Sequence, residues 1–187
     1  MKIIMIDNYD SFTFNLVQLV KDNSTFEIDV FRNDEIDLSD IDSYDKIILS
    51  PGPGLPKDAG IMNQIIERYK NEKSIFGVCL GMQAIGEVFG STLYNLNEPF
   101  HGISTTISHN SEKILKGIPS NFNVGRYHSW ALDCGSIPDI LSITAVDSNG
   151  IVMAIEHKEL RISGVQFHPE SILTEYGKVI ITNFLFN

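Results

Sequence analysis

Short apolar runs alternate with segments of helical periodicity through the first half of the chain. Four of these runs are predicted strands, at residues 3–6, 26–30, 46–50 and 74–78. Strands separated by helical segments predict βαβ units and a parallel sheet. The helical segments repeat apolar residues every three or four positions, the spacing of a buried helix face: Phe12, Leu16, Leu19 and Val20 in the first, and Ile61, Ile65, Ile66 and Tyr69 in the second.

Beyond Gly90 the pattern changes to short pieces in which apolar and polar residues alternate. These pieces predict antiparallel or mixed strands at 102–107, 122–127, 141–146, 152–156 and 162–167. Residues 176–186 return to helical spacing and predict a final amphipathic helix. No repeat, low-complexity tract or linker interrupts the sequence. We therefore expect residues 1–187 to form a single domain of the α/β class.

Composition restricts the kinds of partner. The 187 residues include 14 basic and 24 acidic side chains, a formal net charge of −10, which argues against binding to nucleic acid or an anionic membrane. No stretch approaches the roughly 18 apolar residues that a membrane span needs, and the apolar run at 3–6 is too short for a signal peptide. We expect a cytoplasmic protein whose partners are small molecules or another protein, with the acidic segment 34–42 forming a solvated face.

Only two cysteines occur, Cys79 and Cys134, and they have no C-x-x-C spacing. The sequence therefore predicts neither a disulfide framework nor a zinc site, and no other metal site is expected. The surroundings of Cys134 suggest no chemistry, whereas those of Cys79 do.

Cys79 lies where a predicted strand gives way to a helical pattern, in Gly77-Val78-Cys79-Leu80-Gly81. This is the layout of a nucleophile elbow, a strand-to-helix turn whose small residues let the nucleophile project into a cleft. There the helix N-terminus favours the thiolate, and the next backbone N–H, that of Leu80, is placed to hold an oxyanion. The alternative is a buried cysteine that acts only as a small hydrophobic residue at a strand end.

A cysteine nucleophile needs a base and a group that orients the base. Among the five histidines, His168 stands out because Phe167-His168-Pro169-Glu170 places it at a strand end with a carboxylate two residues later. Proline biases the preceding residue toward an extended backbone, in which residues two apart project to the same side. Glu170 is therefore expected to hold the His168 ring in the tautomer that accepts the thiol proton. The alternative is a strand-end histidine beside an unrelated surface glutamate.

The loop Pro51-Gly52-Pro53-Gly54 follows another predicted strand, whose carboxyl end lies at the same sheet edge. It lacks the spacing and the lysine of a phosphate-binding loop, so nucleotide binding is not expected there. Because glycine lets the backbone approach a ligand closely, the N–H of Gly52 is a candidate second oxyanion donor beside that of Leu80. An ordinary Pro-Gly turn is the alternative.

These segments together resemble the class I glutamine amidotransferases. The resemblance is carried by the elbow through Gln83, by residues 50–54, by Arg126-Tyr127-His128-Ser129 and by residues 164–171. Within that class, residues 6–13 and His101-Gly102 are similar to the chorismate-using branch, which comprises anthranilate synthase component II and the para-aminobenzoate synthase amidotransferase component. The resemblance runs from Asp7 to the last predicted helix, and implies a flavodoxin-like fold with a mostly parallel central sheet, flanking helices and a smaller antiparallel sheet.

The resemblance also implies roles for the residues. Cys79 is expected to attack the side-chain amide of glutamine, giving a glutamyl thioester and ammonia, and water then hydrolyses the thioester. His168 is expected to act as base and acid and Glu170 to orient it, with Gly52 and Leu80 supplying the oxyanion hole. No cofactor is expected in this protein. The residues expected to contact glutamine are Gly52, Pro53, Gly54, Gln83, Ser129 and the backbone at Trp130.

The implied partner is a separate chorismate-binding synthase subunit, which uses the ammonia to form anthranilate or 4-amino-4-deoxychorismate. We expect it to dock through residues 7–12 and the Phe100-His101-Gly102 loop. Met82, Ile103 and Trp130 depart from residues that are commoner in this branch. Two other functions stay open at this point: a γ-glutamyl cysteine hydrolase that acts alone on the same fold, and a binding domain without catalysis.

Overall fold

The computed structural model describes residues 1–111 and 113–187, and its elements follow the predicted order closely. The helices are α1 (Thr13–Asn23), α2 (Met62–Tyr69), α3 (Leu80–Val88) and α4 (Gly177–Phe186). The strands are β1 (Lys2–Asp7), β2 (Glu27–Arg32), β3 (Lys46–Leu49), β4 (Ser74–Val78), β5 (Leu93–His109), β6 (Asn121–Leu132), β7 (Leu141–Asp147), β8 (Val152–His157) and β9 (Ile162–Val165).

All of these strands join in one sheet, in the order β2-β1-β3-β4-β9-β8-β7-β5-β6. Strands β2, β1, β3, β4 and β9 are parallel, and the pairs from β9 to β6 are antiparallel. This confirms the predicted α/β class with its parallel centre. The structure adds that the antiparallel strands are continuous with the parallel ones, because β9 pairs with β4 on one side and with β8 on the other.

Helices cover both faces of the parallel strands. Ile3 and Met5 of β1 point into one core cluster, together with Leu16 of α1, and α1 also contacts α4. Ile4 and Ile6 point to the opposite face, into a cluster that contains residues of α2 and α3. Because successive strand residues face opposite sides, β1 is apolar throughout, as a strand buried on both faces must be. Each fully buried isoleucine contributes roughly 1.5–3 kcal/mol.

The long strand β5 differs most from expectation. It begins at Leu93, nine residues before the predicted piece at 102–107. Its register against β6 shifts between Asn95 and Phe100 and again between His101 and Ile103. The polar residues and proline of Asn97-Glu98-Pro99 hide the period-2 pattern there, because a bulged strand does not alternate regularly.

Two surface expectations can also be compared with the structure. The acidic residues of segment 34–42 are all exposed, so the predicted solvated face is confirmed. Among the helices of the described residues, none combines the length and the apolar character that crossing a membrane requires.

Candidate active site

The elbow has the tight geometry that its glycines predict. Cys79 lies between β4 and α3 with φ 52° and ψ −104°, a positive-φ conformation that is rare outside glycine and costs on the order of 1–3 kcal/mol. A Cβ on Gly77 would lie 2.4 Å from the carbonyl carbon of Gly81, and a Cβ on Gly81 would lie 2.5 Å from the carbonyl oxygen of Leu49. The turn therefore closes only because both neighbours lack side chains.

The Cys79 side chain is 5% exposed and lines a cleft. Its backbone N–H donates to the Val165 carbonyl oxygen at 2.8 Å, which ties the elbow to the neighbouring strand. The Gln83 N–H donates to the Cys79 carbonyl oxygen at 3.1 Å, which is the first hydrogen bond of helix α3. The N–H of Leu80 lies before this bond, among the helix N–H groups that have no partner within the helix. Unpaired N–H groups at a helix start favour negative charge, which suits both a thiolate and an oxyanion.

His168 and Glu170 form the predicted contact by a different backbone route. The His168 Nδ1 atom lies 2.6 Å from Glu170 Oε1, and both side chains are almost completely buried. The chain is not extended through Glu170 as expected, because residues 169 and 170 form a turn in which the Ser171 N–H donates to the His168 carbonyl oxygen at 3.2 Å. The Thr174 hydroxyl donates to the same oxygen at 2.6 Å. The turn, rather than a strand, brings the carboxylate to the ring.

The neighbours of the His168 ring favour its protonated form. Burial opposes protonation, but the Cys79 sulfur and the Glu170 carboxylate outweigh it and raise the pKa of His168 to about 10. His168 Nε2 makes no hydrogen bond of standard geometry within the described part of the chain. The Cys79 sulfur therefore raises the pKa of the ring without a well-aligned N–H···S bond. The rings of Phe12 and Tyr127 pack edge-on against His168, with centroids 5.7 and 4.9 Å away.

The loop after β3 approaches the elbow closely. A Cβ on Gly52 would lie 2.5 Å from Asn8 Cβ and 3.0 Å from Leu80 Cδ2, so only glycine fits between these residues. Asn8 is itself fixed, because its Nδ2 donates to the Ser50 carbonyl oxygen at 2.8 Å. The two predicted oxyanion donors, Gly52 and Leu80, are thus neighbours at one sheet edge. Gly54 has φ 76°, which glycine adopts without strain.

One cleft brings most of the predicted residues together. Its volume of about 400 Å³ is within the range of small-molecule sites. Seven of its lining residues were predicted from the sequence: Gly52, Pro53, Gly54, Cys79, Gln83, Ser129 and Trp130. The others are Pro99, Phe100, His101, Tyr127 and His128, which come from the irregular part of β5 and from β6.

Hydrogen bonds within the protein limit how Gln83 and Trp130 can contact a ligand. Gln83 Nε2 donates to the Trp130 carbonyl oxygen at 2.9 Å and to Gln166 Oε1 at 3.1 Å. The Trp130 carbonyl oxygen also accepts from His128 Nδ1 at 2.8 Å. Gln83 Nε2 and the Trp130 carbonyl oxygen are therefore both used within the protein, whereas the Gln83 side-chain oxygen accepts no hydrogen bond from the described residues. This narrows the expected contacts of both residues.

Sequence reasoning missed Gln166 as part of this site. Its Nε2 lies 3.5 Å from the Cys79 sulfur, and the side chain is completely buried. The one available signal was its position two residues before His168, in a segment that was otherwise apolar.

A sequence model described as glutamine amidotransferase class-I matches residues 4–187. The multifunctional tryptophan biosynthesis protein of Schizosaccharomyces pombe is 46% identical over 98% of this chain, which spans 25% of that protein's length. Anthranilate synthase component 2 of Pyropia yezoensis is 45% identical over 98% of both chains. A crystal structure of a Thermoplasma acidophilum protein, assigned as one of the components of a GMP synthase, superposes with a TM-score of 0.89 at 28% identity, covering 99% of this chain and 92% of that one.

Proposed function

The chain belongs to the class I glutamine amidotransferase family, and from that premise we propose that it is the glutaminase component of an anthranilate synthase. It hydrolyses glutamine at Cys79 and delivers the ammonia to a chorismate-binding synthase subunit. The observation that carries this proposal is the cleft in which Cys79, beside the His168–Glu170 pair, faces the Gly52 loop. Relatives named anthranilate synthase component 2 support the choice of pathway.

The first chemical step forms the thioester. The Cys79 thiolate attacks the side-chain amide carbon of glutamine, and the N–H groups of Gly52 and Leu80 stabilise the oxyanion that develops. His168, whose raised pKa keeps its ring protonated at neutral pH, gives its proton to the departing nitrogen. The C–N bond breaks and ammonia leaves. Glu170 holds the Nδ1–H throughout, which aims Nε2 at the reacting atoms.

The second step returns the enzyme to its starting state. The His168 ring is now neutral, and its Nε2 takes a proton from water as that water attacks the thioester carbon. The C–S bond breaks, glutamate is released, and Cys79 is again a thiolate beside a protonated ring. Each proton lost in one step is regained in the other, so no further acid or base is needed.

The substrate's amino-acid end is proposed to lie along β6 and the Gly52 loop. A carboxylate can only accept hydrogen bonds, so we assign the substrate carboxylate to the backbone N–H groups of Ser129 and Trp130, while the Trp130 carbonyl oxygen accepts from two protein groups. The Gln83 side-chain oxygen suits the substrate's ammonium group, because its amide nitrogen is occupied. Pro53 and Gly54 complete the cleft.

A surface beside the active site suits the synthase partner. The Tyr127 hydroxyl lies 3.2 Å from Ser171 Oγ, and its ring packs 5.9 Å from that of His101. Next to Ser171, the side chain of Ile172 is 99% exposed, and Ile103 near His101 is also exposed. Apolar side chains at the rim of a catalytic cleft are typical of surfaces that a partner covers. We therefore extend the expected docking surface from residues 7–12 and 100–102 to Ile172.

Reconstitution tests this function directly. The chain is mixed with a chorismate-binding synthase subunit, and glutamine-dependent formation of anthranilate and of 4-amino-4-deoxychorismate is measured alongside co-elution. Anthranilate formation in a co-eluting complex is the expected result. Formation of 4-amino-4-deoxychorismate alone would move the protein to the folate branch. Partner-independent glutaminase activity without co-elution would indicate a hydrolase that acts alone.

The docking surface has its own test. Ile172→Asp is expected to weaken the complex by about tenfold or more, because a charge would be buried against the partner. Ile140→Asp is the matched control, since Ile140 is also an exposed isoleucine and lies just before β7. Equal affinities of the two variants in a titration of complex formation would place the partner elsewhere.

A further inference from the structure

A buried ion pair lies next to the site, in residues to which the proposed chemistry gives no part. Arg126 Nη1 donates to Asp147 Oδ2 at 2.7 Å, and both side chains are completely buried. The other carboxylate oxygen of Asp147 accepts from the N–H groups of Asn149 and Ile151, each at 2.9 Å. The turn between β7 and β8 therefore fixes the carboxylate, and the carboxylate fixes the guanidinium.

Arg126 determines which nitrogen of His128 carries the proton. Arg126 Nε lies 3.0 Å from His128 Nε2, and a guanidinium can only donate, so Nε2 must accept. The ring proton is therefore on Nδ1, which donates to the Trp130 carbonyl oxygen at 2.8 Å. Burial and the positive charge of Arg126 lower the pKa of His128 to about 4, so the ring is neutral at physiological pH. Neither ring nitrogen is left to bind a ligand.

The backbone that His128 supports has little other support from the sheet. Trp130 pairs with Asn95 and His128 pairs with Phe100, so residues 96–99 of β5 lie opposite Ser129 alone. Regular strand pairing does not hold this bulged segment in place. On the β6 side, the His128 ring supplies a hydrogen bond to the Trp130 carbonyl oxygen of its own strand. The Phe100 side chain packs against both His128 and Arg126. Its ring stacks on the His128 ring, and its centroid lies 3.4 Å from Arg126 Cζ.

We propose that Arg126 and His128 are positioning residues for glutamine: they fix the Ser129–Trp130 backbone and, through the Trp130 carbonyl oxygen, the Gln83 side chain. We name Arg126, His128, Ser129 and Trp130 the hairpin wall. The inference rests on the proposed glutaminase function and deepens it. The wall sets how well glutamine binds, whereas the chemical steps stay with Cys79 and His168.

Two substitutions at one position separate the two hydrogen bonds of the ring. His128→Gln keeps an acceptor near the Nε2 position but loses the donor to Trp130, whereas His128→Asn keeps a donor near Nδ1 and loses the acceptor. We expect His128→Gln to raise the KM for glutamine about tenfold with little change in kcat. We expect His128→Asn to keep KM within about threefold of the wild type. Equal KM values for wild type and His128→Gln would overturn the proposal.

Labelling of Cys79 distinguishes positioning from general damage. A glutamine-like chloroketone needs the glutamine subsite, whereas iodoacetamide needs only a reactive, accessible sulfur. His128→Gln should slow the chloroketone about tenfold and leave iodoacetamide within about twofold of the wild type. Equal slowing of both reagents would mean that the ring supports the fold and not the subsite.

The two sets of measurements also separate the positioning role from the function on which it rests. If the wild-type protein neither hydrolyses glutamine nor reacts with the chloroketone, both the glutaminase function and the positioning role are overturned. If the wild type is active and His128→Gln is unaffected, only the positioning role is overturned. Should His128→Gln fail to fold, Arg126→Lys is used instead. It keeps a charge beside Asp147 but lacks Nε, so it frees the His128 tautomer and carries the same expectation for KM.

Discussion

His168 and His128 differ in charge although both side chains are buried, at 2% and 6% exposure. At His168, burial is outweighed by the Cys79 sulfur and the Glu170 carboxylate, and the pKa rises to about 10. At His128, burial and the Arg126 guanidinium act together, and the pKa falls to about 4. Neighbouring charges, rather than depth, therefore decide which histidine carries a proton. In the proposed function, His168 takes part in the chemical steps and His128 serves as a fixed hydrogen-bonding support.

The two histidines belong to regions that are built differently. The catalytic corner, which comprises Cys79, His168 and Glu170, follows the ends of β4 and β9 and depends on close backbone contacts at glycines. The hairpin wall depends on a charged pair whose members are 21 residues apart. A change in the corner should therefore affect catalysis first, and a change deep in the wall should affect stability and binding first.

Cys79→Ser is expected to have the largest effect. Glutamine-dependent product formation should fall by about 10⁴-fold or more, because a serine hydroxyl is not ionised beside His168. Ammonia-dependent product formation by the complex should be unchanged, and unfolding free energy should change by less than about 1 kcal/mol. Assays with glutamine and with ammonium salts measure the two activities. Cys134→Ser, at an exposed thiol outside the cleft, is the control. Loss of both activities would mean that Cys79 holds the complex together.

Arg126→Met, in the hairpin wall, should show the opposite profile to Cys79→Ser: a large loss of stability comes before any loss of catalysis. It leaves the Asp147 carboxylate buried without its partner, which typically costs about 3–5 kcal/mol. The double variant Arg126→Met with Asp147→Asn removes both charges and should recover part of that loss. Urea unfolding measures each value. A double variant no more stable than Arg126→Met would show that shape, and not charge pairing, holds the wall.

The same contrast explains what could be predicted from the sequence. The corner was predictable because its signals are contiguous: an elbow within residues 77–81 and a histidine two residues before a carboxylate. Even there the route of the chain to Glu170 differs from the expectation. Proline acts on the residue before it, but residues 169 and 170 themselves form a turn, and the Ser171 N–H and the Thr174 hydroxyl both donate to the His168 carbonyl oxygen.

The wall was not predictable because no local signal marks it. Arg126 lies in β6, a strand of alternating pattern in which an arginine ordinarily faces solvent. Its partner Asp147 is the last residue of the next strand, β7. The bulge in β5 likewise hid the start of that strand. Interactions between residues distant in sequence, combined with an irregular strand, leave no periodicity to recognise.

The pH dependence of stability should show the contribution of His128. The pKa of His128 is about 4 in the folded protein and about 6.5 in the unfolded chain. Between pH 4 and 6.5 the unfolded chain therefore binds a proton on His128 that the folded protein does not. Stability is therefore lost as pH falls from about 6.5 to 4, by on the order of 3 kcal/mol. His128→Gln cannot titrate and should lack this loss. Parallel urea titrations that show the same acid slope for both proteins would contradict the neutral ring. His168 has the opposite sign, because its stabilising proton is lost as pH rises toward about 10.

Gly54→Ala should have the smallest effect, and it tests how far the tight packing of the corner extends. A Cβ on Gly54 meets nothing within 4 Å, so the cost is limited to a side chain at φ 76°, about 1 kcal/mol. Gly90→Ala is the matched control, since Gly90 also has positive φ and open surroundings but lies after α3, outside the residues that line the cleft. Equal losses in urea unfolding would show that the close packing seen at Gly52, Gly77 and Gly81 does not extend to Gly54. A much larger loss at Gly54 would mean that the whole loop is held as rigidly as the elbow.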